Sequence, residues 1–182
     1  MTNPSLQKNK ATSYLLAVVL SSLVACAPAE RTQLKEKQMT EKQSTLWQTI
    51  DALAQQMPLT PAKVEAVMGT KLQEQERSEN FVHLKASGPA LSDGLKVTEI
   101  SLLTRPNNEF DIKSGLSLEL SGACVKLDEI RKQFGKLEIT QSPRGRSPLE
   151  STVHASKESW GTLSFAFKEE NPDCLFRVSF RK

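Results

Sequence analysis

The sequence has little of the side-chain chemistry on which catalytic and metal sites depend. It contains two histidines, His83 and His154, and has no G-x-S-x-G elbow, no glycine-rich phosphate loop and no C-x-x-C pair. Neither histidine belongs to an acid, histidine and nucleophile order, and a metal site needs several converging ligands. We therefore expect a protein that is not an enzyme and holds no metal and no cofactor. Both histidines are interpreted as half-exposed strand residues.

A strong excess of charge of one sign is also absent. The formal net charge is +3, and it falls to +1 if Lys8 and Lys10 are removed with an N-terminal leader that carries no acidic residue. A nearly neutral chain lacks the basic footprint of nucleic-acid binding. We therefore expect no nucleic-acid partner.

The apolar run at the N-terminus is too short to span a bilayer. Residues 14–25 (YLLAVVLSSLVA) follow Lys8 and Lys10, whereas a membrane-spanning helix needs about twenty apolar residues. A positively charged region followed by a short apolar run is typical of a secretory signal. The end of the run, Leu23-Val24-Ala25-Cys26, resembles the lipobox of bacterial lipoproteins.

The lipobox resemblance implies a signal peptide over residues 1–25 and lipidation of Cys26, which becomes the first residue of the mature chain. Its sulfur would carry diacylglycerol and its amine an acyl chain such as palmitate. Ala27 follows in place of aspartate, which in Gram-negative lipoproteins implies sorting to the outer membrane. We expect a lipid-anchored envelope protein on the periplasmic face of the outer membrane, tethered by residues 26–44. A plain secretory signal with an incidental cysteine is the alternative.

The two remaining cysteines form an even pair. Cys124 and Cys174 would lie in an oxidising compartment, where such pairs form disulfides. A redox or metal site is the alternative, but the wide spacing and the lack of a nearby histidine speak against it.

Two short helices are predicted after the tether. The first starts at Thr45, ends at Pro58 and has an apolar stripe made by Trp47, Ile50, Leu53, Ala54 and Met57. The second has Thr60 as its N-cap and Pro61 at its first position, and Gly69 supplies a left-handed C-cap.

After Gly69 the spacing of apolar residues changes from three or four positions, typical of a helix, to two, typical of a strand. Residues 71–77, 80–87 and 95–104 are predicted strands, and a slip between Val97 and Ile100 predicts a bulge. After a turn over residues 105–108, one long strand is predicted with a single buried face, made by Phe110, Ile112, Leu116, Leu118 and Leu120.

The pattern begins again in the second half. An amphipathic helix over residues 125–134 ends at Gly135, and alternating strands follow. The last strand is predicted to bury one face, made by Cys174, Phe176, Val178 and Phe180. A Val-His pair occurs in the second strand of each half, at Val82-His83 and at Val153-His154.

These patterns predict an α+β fold in which short helices lie on an antiparallel sheet. Residues 45–122 and 123–182 are two helix-plus-sheet units, expected to form one compact domain, and could be tandem α-β4 units. Whether the two units arose by duplication stays open, because matches of this kind arise easily.

Two family resemblances bear on the architecture. The segment Leu59-Thr60-x-x-x-Val64-x-x-x-Met68-Gly69 is similar to the helical motif of the small lipoproteins of the outer-membrane barrel-assembly machinery. The tandem plan resembles the β-lactamase-inhibitor protein. Both families are non-enzymatic binding modules, so the resemblance implies a binding function of that kind.

One loop is a candidate contact with a partner. Residues 141–149 carry Arg144, Gly145 and Arg146 between two prolines, which could form a stiff basic loop that recognises an acidic protein or an anionic glycan or lipid phosphate. A solvated hairpin loop is the alternative. Trp47 and Trp160 are interpreted as packing residues of the core or a sheet edge.

The sequence therefore predicts a membrane-anchored periplasmic lipoprotein that binds an envelope protein without catalysis, such as an accessory of envelope assembly. The first alternative is an inhibitor or immunity protein against a periplasmic toxin or hydrolase. An enzyme that acts on the envelope is a further alternative, which no residue pattern supports.

Overall fold

The computed structural model describes residues 43–111 and 113–182. The predicted signal peptide 1–25, the lipidation site Cys26 and the predicted tether up to residue 42 lie outside these described residues. Ser44, the last residue of the predicted tether, already belongs to the fold, because its carbonyl oxygen accepts a 3.1 Å hydrogen bond from Ser92 N–H.

The described residues form three short helices and eight strands, an α+β fold as the sequence predicts. The helices are α1 (Leu46–Gln55), α2 (Pro61–Met68) and α3 (Leu127–Phe134). The strands of the first half are β1 (Gln73–Arg77), β2 (Val82–Ala86), β3 (Leu95–Thr104) and β4 (Gly115–Gly122). The strands of the second half are β5 (Glu138–Gln141), β6 (Ser151–Glu158), β7 (Gly161–Lys168) and β8 (Leu175–Arg181).

The helix ends follow the predicted local chemistry. The Thr45 hydroxyl accepts a hydrogen bond from Gln48 N–H and the Gln48 side chain accepts one from Thr45 N–H, which makes a capping box at α1. At α2 the Thr60 hydroxyl accepts a hydrogen bond from Lys63 N–H, and Gly69 ends the helix at a φ of +64°, a conformation that glycine adopts without strain.

All eight strands form one antiparallel sheet with the order β1-β2-β3-β4-β8-β7-β6-β5. Each half is a four-stranded meander, and the last strands of the two halves pair with each other. Leu118 lies opposite Val178 in the β4–β8 pair. The sheet is therefore continuous across both halves.

The three helices cover one face of this sheet. Their buried residues join one core with the inward side chains of the strands, and the helical members of this core are Leu46, Ile50, Leu53, Val64, Met68 and Ile130. Phe134 of α3 lies 6.1 Å from Trp47 of α1 and 5.2 Å from Phe165 of β7, between ring centroids, so the helices of both halves meet above the sheet.

The bulge predicted in β3 is present, since the register of the β3–β4 pair shifts between Val97 and Glu99. The long strand predicted over residues 110–120 is shorter, because β4 begins at Gly115. Phe110 is buried but lies in the preceding loop. Asp111 holds that loop: its carboxylate accepts hydrogen bonds from Lys113 N–H and Arg105 Nε, which competes with strand pairing.

The two Val-His pairs do not occupy equivalent positions. Val82 is buried beneath the helices and His83 faces away from them, whereas Val153 faces away and His154 is buried. The cause is a one-residue difference in register, which exchanges the two faces of a strand.

Candidate functional site

The sheet face opposite the helices carries a row of serines. Ser101, Ser117, Ser179 and Ser164 lie directly opposite one another on β3, β4, β8 and β7. All four are half-buried. Adjacent strands are about 4.8 Å apart, so the row of hydroxyls extends for about 14 Å across the centre of the sheet. We call this uncovered surface the open face.

A groove of about 500 Å³ lies on the open face of the second half. Its hydroxyl groups belong to Ser117, Thr140, Thr162, Ser164 and Ser179. Its cations are Arg177, Arg181 and Lys182, and no Asp or Glu is among its lining residues. The groove therefore offers hydrogen-bond donors, hydrogen-bond acceptors and positively charged side chains, with no acidic residue in its lining.

A β-bulge places Phe176 beside the groove instead of in the core. The β7–β8 register shifts between Ala166 and Phe167, so Leu175 takes the buried position and Phe176 is half-exposed. The expectation that Phe176 faces the core was wrong, because alternation does not survive a bulge. The Arg177 guanidinium lies 4.8 Å from the centroid of the Phe176 ring, a cation–π contact that holds it at the surface.

The arginine loop, residues 141–149, adjoins the groove. Arg144 N–H donates a hydrogen bond to the Glu150 carboxylate, and Leu149 N–H donates to Ser147 Oγ at 3.2 Å. These bonds order the loop backbone. Gly145 has a φ of +72°, which allows the chain to reverse between the two arginines.

The arginine loop and the groove share residues. A cavity of about 440 Å³ beside the loop is lined by Thr140, Gln141, Ser142, Arg144, Arg146 and Glu150. Thr140 and Gln141 also line the groove. Gly145 lines a second, shallower cavity together with Arg146, Glu169 and Glu170. The structure thus brings the two predicted arginines to one end of the open face.

Sequence reasoning missed Arg177, Arg181 and Lys182. The apolar alternation of the last strand predicts its buried face but assigns no role to its polar positions. The available signal was a serine flanked by apolar residues in each of four strands, at Ser101, Ser117, Ser164 and Ser179.

The two histidines lie far apart and on different faces. Five strand-to-strand steps separate β2 from β6, which places His83 and His154 about 24 Å apart across the sheet. His83 Nε2 is 2.7 Å from Ser101 Oγ on the open face. His154 is only 8 % exposed and stands edge-on to Phe167. Burial lowers the pKa of His154, and the nearby positive charge of Arg131 lowers it further.

The remaining candidate residues form a disulfide or pack against aromatic side chains. Cys124 and Cys174 form a disulfide with a Cα–Cα distance of 4.9 Å. Trp47 packs against Phe134, and Trp160 stacks on Phe180 with 5.8 Å between ring centroids. Among the described residues, no group of three His, Cys, Asp or Glu side chains is placed to hold a metal ion.

Comparison with known proteins identified no similar family model, curated protein or solved structure. Within residues 43–111 and 113–182, no helix has the length and apolar character that crossing a membrane requires.

Proposed function

We propose that this chain is a lipid-anchored binding module of the bacterial cell envelope that contacts a protein partner through its open face and arginine loop, without catalysis. The Leu-Val-Ala-Cys sequence at residues 23–26 supports the anchor. The Cys124–Cys174 disulfide supports an oxidising compartment. A role as an accessory of envelope assembly fits both features.

One observation carries the proposal: the helices cover one side of an eight-stranded sheet, and the other side presents a polar surface with a cationic groove in the second half. Interfaces between proteins that also exist alone are no more apolar than the rest of the surface. A polar sheet face framed by an ordered arginine loop therefore suits reversible binding to a protein.

Site-specific crosslinking tests this surface. A photoreactive phenylalanine analogue replaces Thr140, which is exposed where the groove meets the arginine loop. The matched control places the same analogue at Lys136, an exposed position between α3 and β5. We expect a discrete crosslinked protein in intact cells from position 140 and none from position 136. Equal labelling from both positions, or no adduct from position 140, would contradict the proposal.

The identity of the crosslinked protein separates the two functions considered. An envelope-assembly component supports the accessory role, whereas a secreted toxin or hydrolase identifies the chain as an inhibitor or immunity protein.

A Cys26→Ser variant tests the anchor. We expect the unaltered chain to incorporate labelled palmitate and to sediment with membranes, and the variant to lose the label. A variant that keeps the label would show that the lipid is attached elsewhere or that the anchor is of another kind.

A further inference from the structure

We infer that the groove on the open face binds an acidic, carboxylate-bearing segment of the partner polypeptide, through Arg177 and Arg181 and the neighbouring serine hydroxyls. This inference rests on the proposed function and adds the chemistry of the partner. It follows from the charge of the groove, the groups that line it and its continuity with the arginine loop.

The arginines of the groove and of the arginine loop form no ion pair among the described residues. Seven ion pairs within 4.0 Å occur among the described residues, and none of them includes Arg177, Arg181, Arg144 or Arg146. Arg177 lies opposite Glu119 in the β4–β8 pair, yet their charged groups are not within ion-pair distance. The guanidinium groups therefore remain available to a carboxylate from outside.

The two halves of the open face differ in whether their cations form ion pairs. In the first half, Lys85 on β2 forms an ion pair with Glu99 on β3 at 2.8 Å, which neutralises its charge. In the second half, Glu119 lies opposite Arg177, but neither Arg177 nor Arg181 forms an ion pair, and no Asp or Glu is among the residues that line the groove. Positive potential is thus concentrated at one end of the sheet, and it would attract and orient an acidic partner.

The lining groups favour a polypeptide over a phosphate. Guanidinium groups bind carboxylates with two parallel hydrogen bonds, and they bind phosphates equally well. The serine and threonine hydroxyls, however, can accept as well as donate hydrogen bonds. A polypeptide supplies both amide donors and carbonyl acceptors to such a surface, whereas a phosphate group at neutral pH mainly accepts.

The small apolar content of the groove lining disfavours binding to a membrane. The apolar lining of the groove is limited to Val153 and Ala166, and Ala166 is only 4 % exposed. The lining itself therefore offers no large apolar side chain to hydrocarbon, and the half-exposed Phe176 beside it packs against the Arg177 guanidinium. Because Thr140 and Gln141 line both cavities, one extended segment can run from Arg177 to Arg144.

The test uses the full chain in detergent and a fluorescent ten-residue peptide of alternating glutamate and serine. A second peptide with glutamine in place of glutamate controls for charge. Binding is measured by fluorescence anisotropy at low and at physiological salt. We expect the glutamate peptide to bind and to weaken as salt rises, since salt screens exposed charges. The combined variant Arg177→Gln and Arg181→Gln should weaken binding by at least tenfold.

A matched variant removes the same charge elsewhere. Lys132 and Lys136 are exposed cations on and just after α3. The combined variant Lys132→Gln and Lys136→Gln should change binding by less than twofold, and thermal melting should show that both double variants are folded.

Three results would overturn the inference. They are equal binding of the glutamine peptide, unchanged binding by the groove variant, and a groove-dependent response only to inorganic phosphate or phosphatidylglycerol vesicles. If the position-140 crosslink still forms in the groove variant, the proposed function stands while the acidic-segment inference fails. If that crosslink disappears together with peptide binding, both are supported.

Discussion

The carboxylate of Asp93 accepts a 2.7 Å hydrogen bond from the backbone N–H of Leu46, the first residue of α1. Asp93 lies in the β2–β3 connection, 47 positions away in sequence. The first turn of α1 contains no acidic residue of its own. Asp93 therefore supplies the negative charge that a helix N-terminus favours, and it fastens α1 to the sheet.

Replacing Asp93 should loosen this attachment. We expect Asp93→Ala to lower the free energy of unfolding by about 1 to 2 kcal/mol, because a backbone donor loses a charged acceptor. Asp51→Ala, at an exposed position on the same helix, is the control and should change it by less than about 0.5 kcal/mol. Urea titration measures both, and equal effects would assign no special role to Asp93.

The Cys124–Cys174 disulfide should contribute strongly to stability. It closes a loop with a sequence separation of 50, and the chain-entropy model gives about 4 kcal/mol for a loop of that size. We expect the double variant Cys124→Ser and Cys174→Ser, and the reduced unaltered chain, to show the same lowered unfolding midpoint in urea. A midpoint that reduction leaves unchanged would contradict this contribution. Mass spectrometry without reductant should recover the linked peptides.

Gly161 should not tolerate a side chain. Its φ is +148°, and a Cβ placed there would overlap the carbonyl oxygen of Arg181. Relieving that overlap must separate the start of β7 from the end of β8. We expect Gly161→Ala to cost about 2 to 4 kcal/mol of unfolding free energy.

Gly145 is the matched control for Gly161. It also has a positive φ, +72°, but a Cβ there meets open space. Gly145→Ala should therefore cost only about 1 kcal/mol, the strain of the left-handed conformation. Thermal melting compares the two variants, and a Gly145→Ala effect as large as that of Gly161→Ala would show that overlap is not the cause.

His154 should make stability depend on pH. Burial, and then the positive charge of Arg131, lower the pKa of its imidazole in the folded state. The unfolded chain therefore takes up a proton first as pH falls below about 6.5, and stability decreases until the lowered folded pKa is passed. We expect the unaltered chain to lose more stability than His154→Gln between pH 7.5 and pH 5.5, by urea titration. Parallel losses would mean that other groups are responsible.

Features determined by neighbouring residues could be predicted from the sequence. The Thr60 cap, Pro61 at the first position of α2 and Gly69 at its end each act within a few residues, and the structure has all three as expected. The bulge near Val97 was visible for the same reason, as a local slip in alternation.

Features determined by pairing between distant strands could not be predicted. The groove exists because β4 pairs with β8, which brings Ser117 beside Ser179 from residues 62 positions apart. The position of Phe176 depends on a bulge opposite β7, and the buried position of His154 depends on register. The periodicity of apolar residues within one strand contains no information about strand pairing, bulges opposite another strand, or register. The arginine loop was identified from its composition, but its contact with the groove required the sheet order.

The central position of β8 has a consequence for how the molecule is made. Of the eight strands, β8, which joins the halves, is synthesised last. Leu118 therefore has no partner until Val178, 60 positions later, has been synthesised. Until then, β4 and β7 each present an unpaired apolar margin of the kind that aggregates or recruits holding chaperones. Pairing of β8 therefore completes the sheet. A nascent chain interrupted before residue 175 would contain two separate half-sheets, each with an exposed edge prone to aggregation.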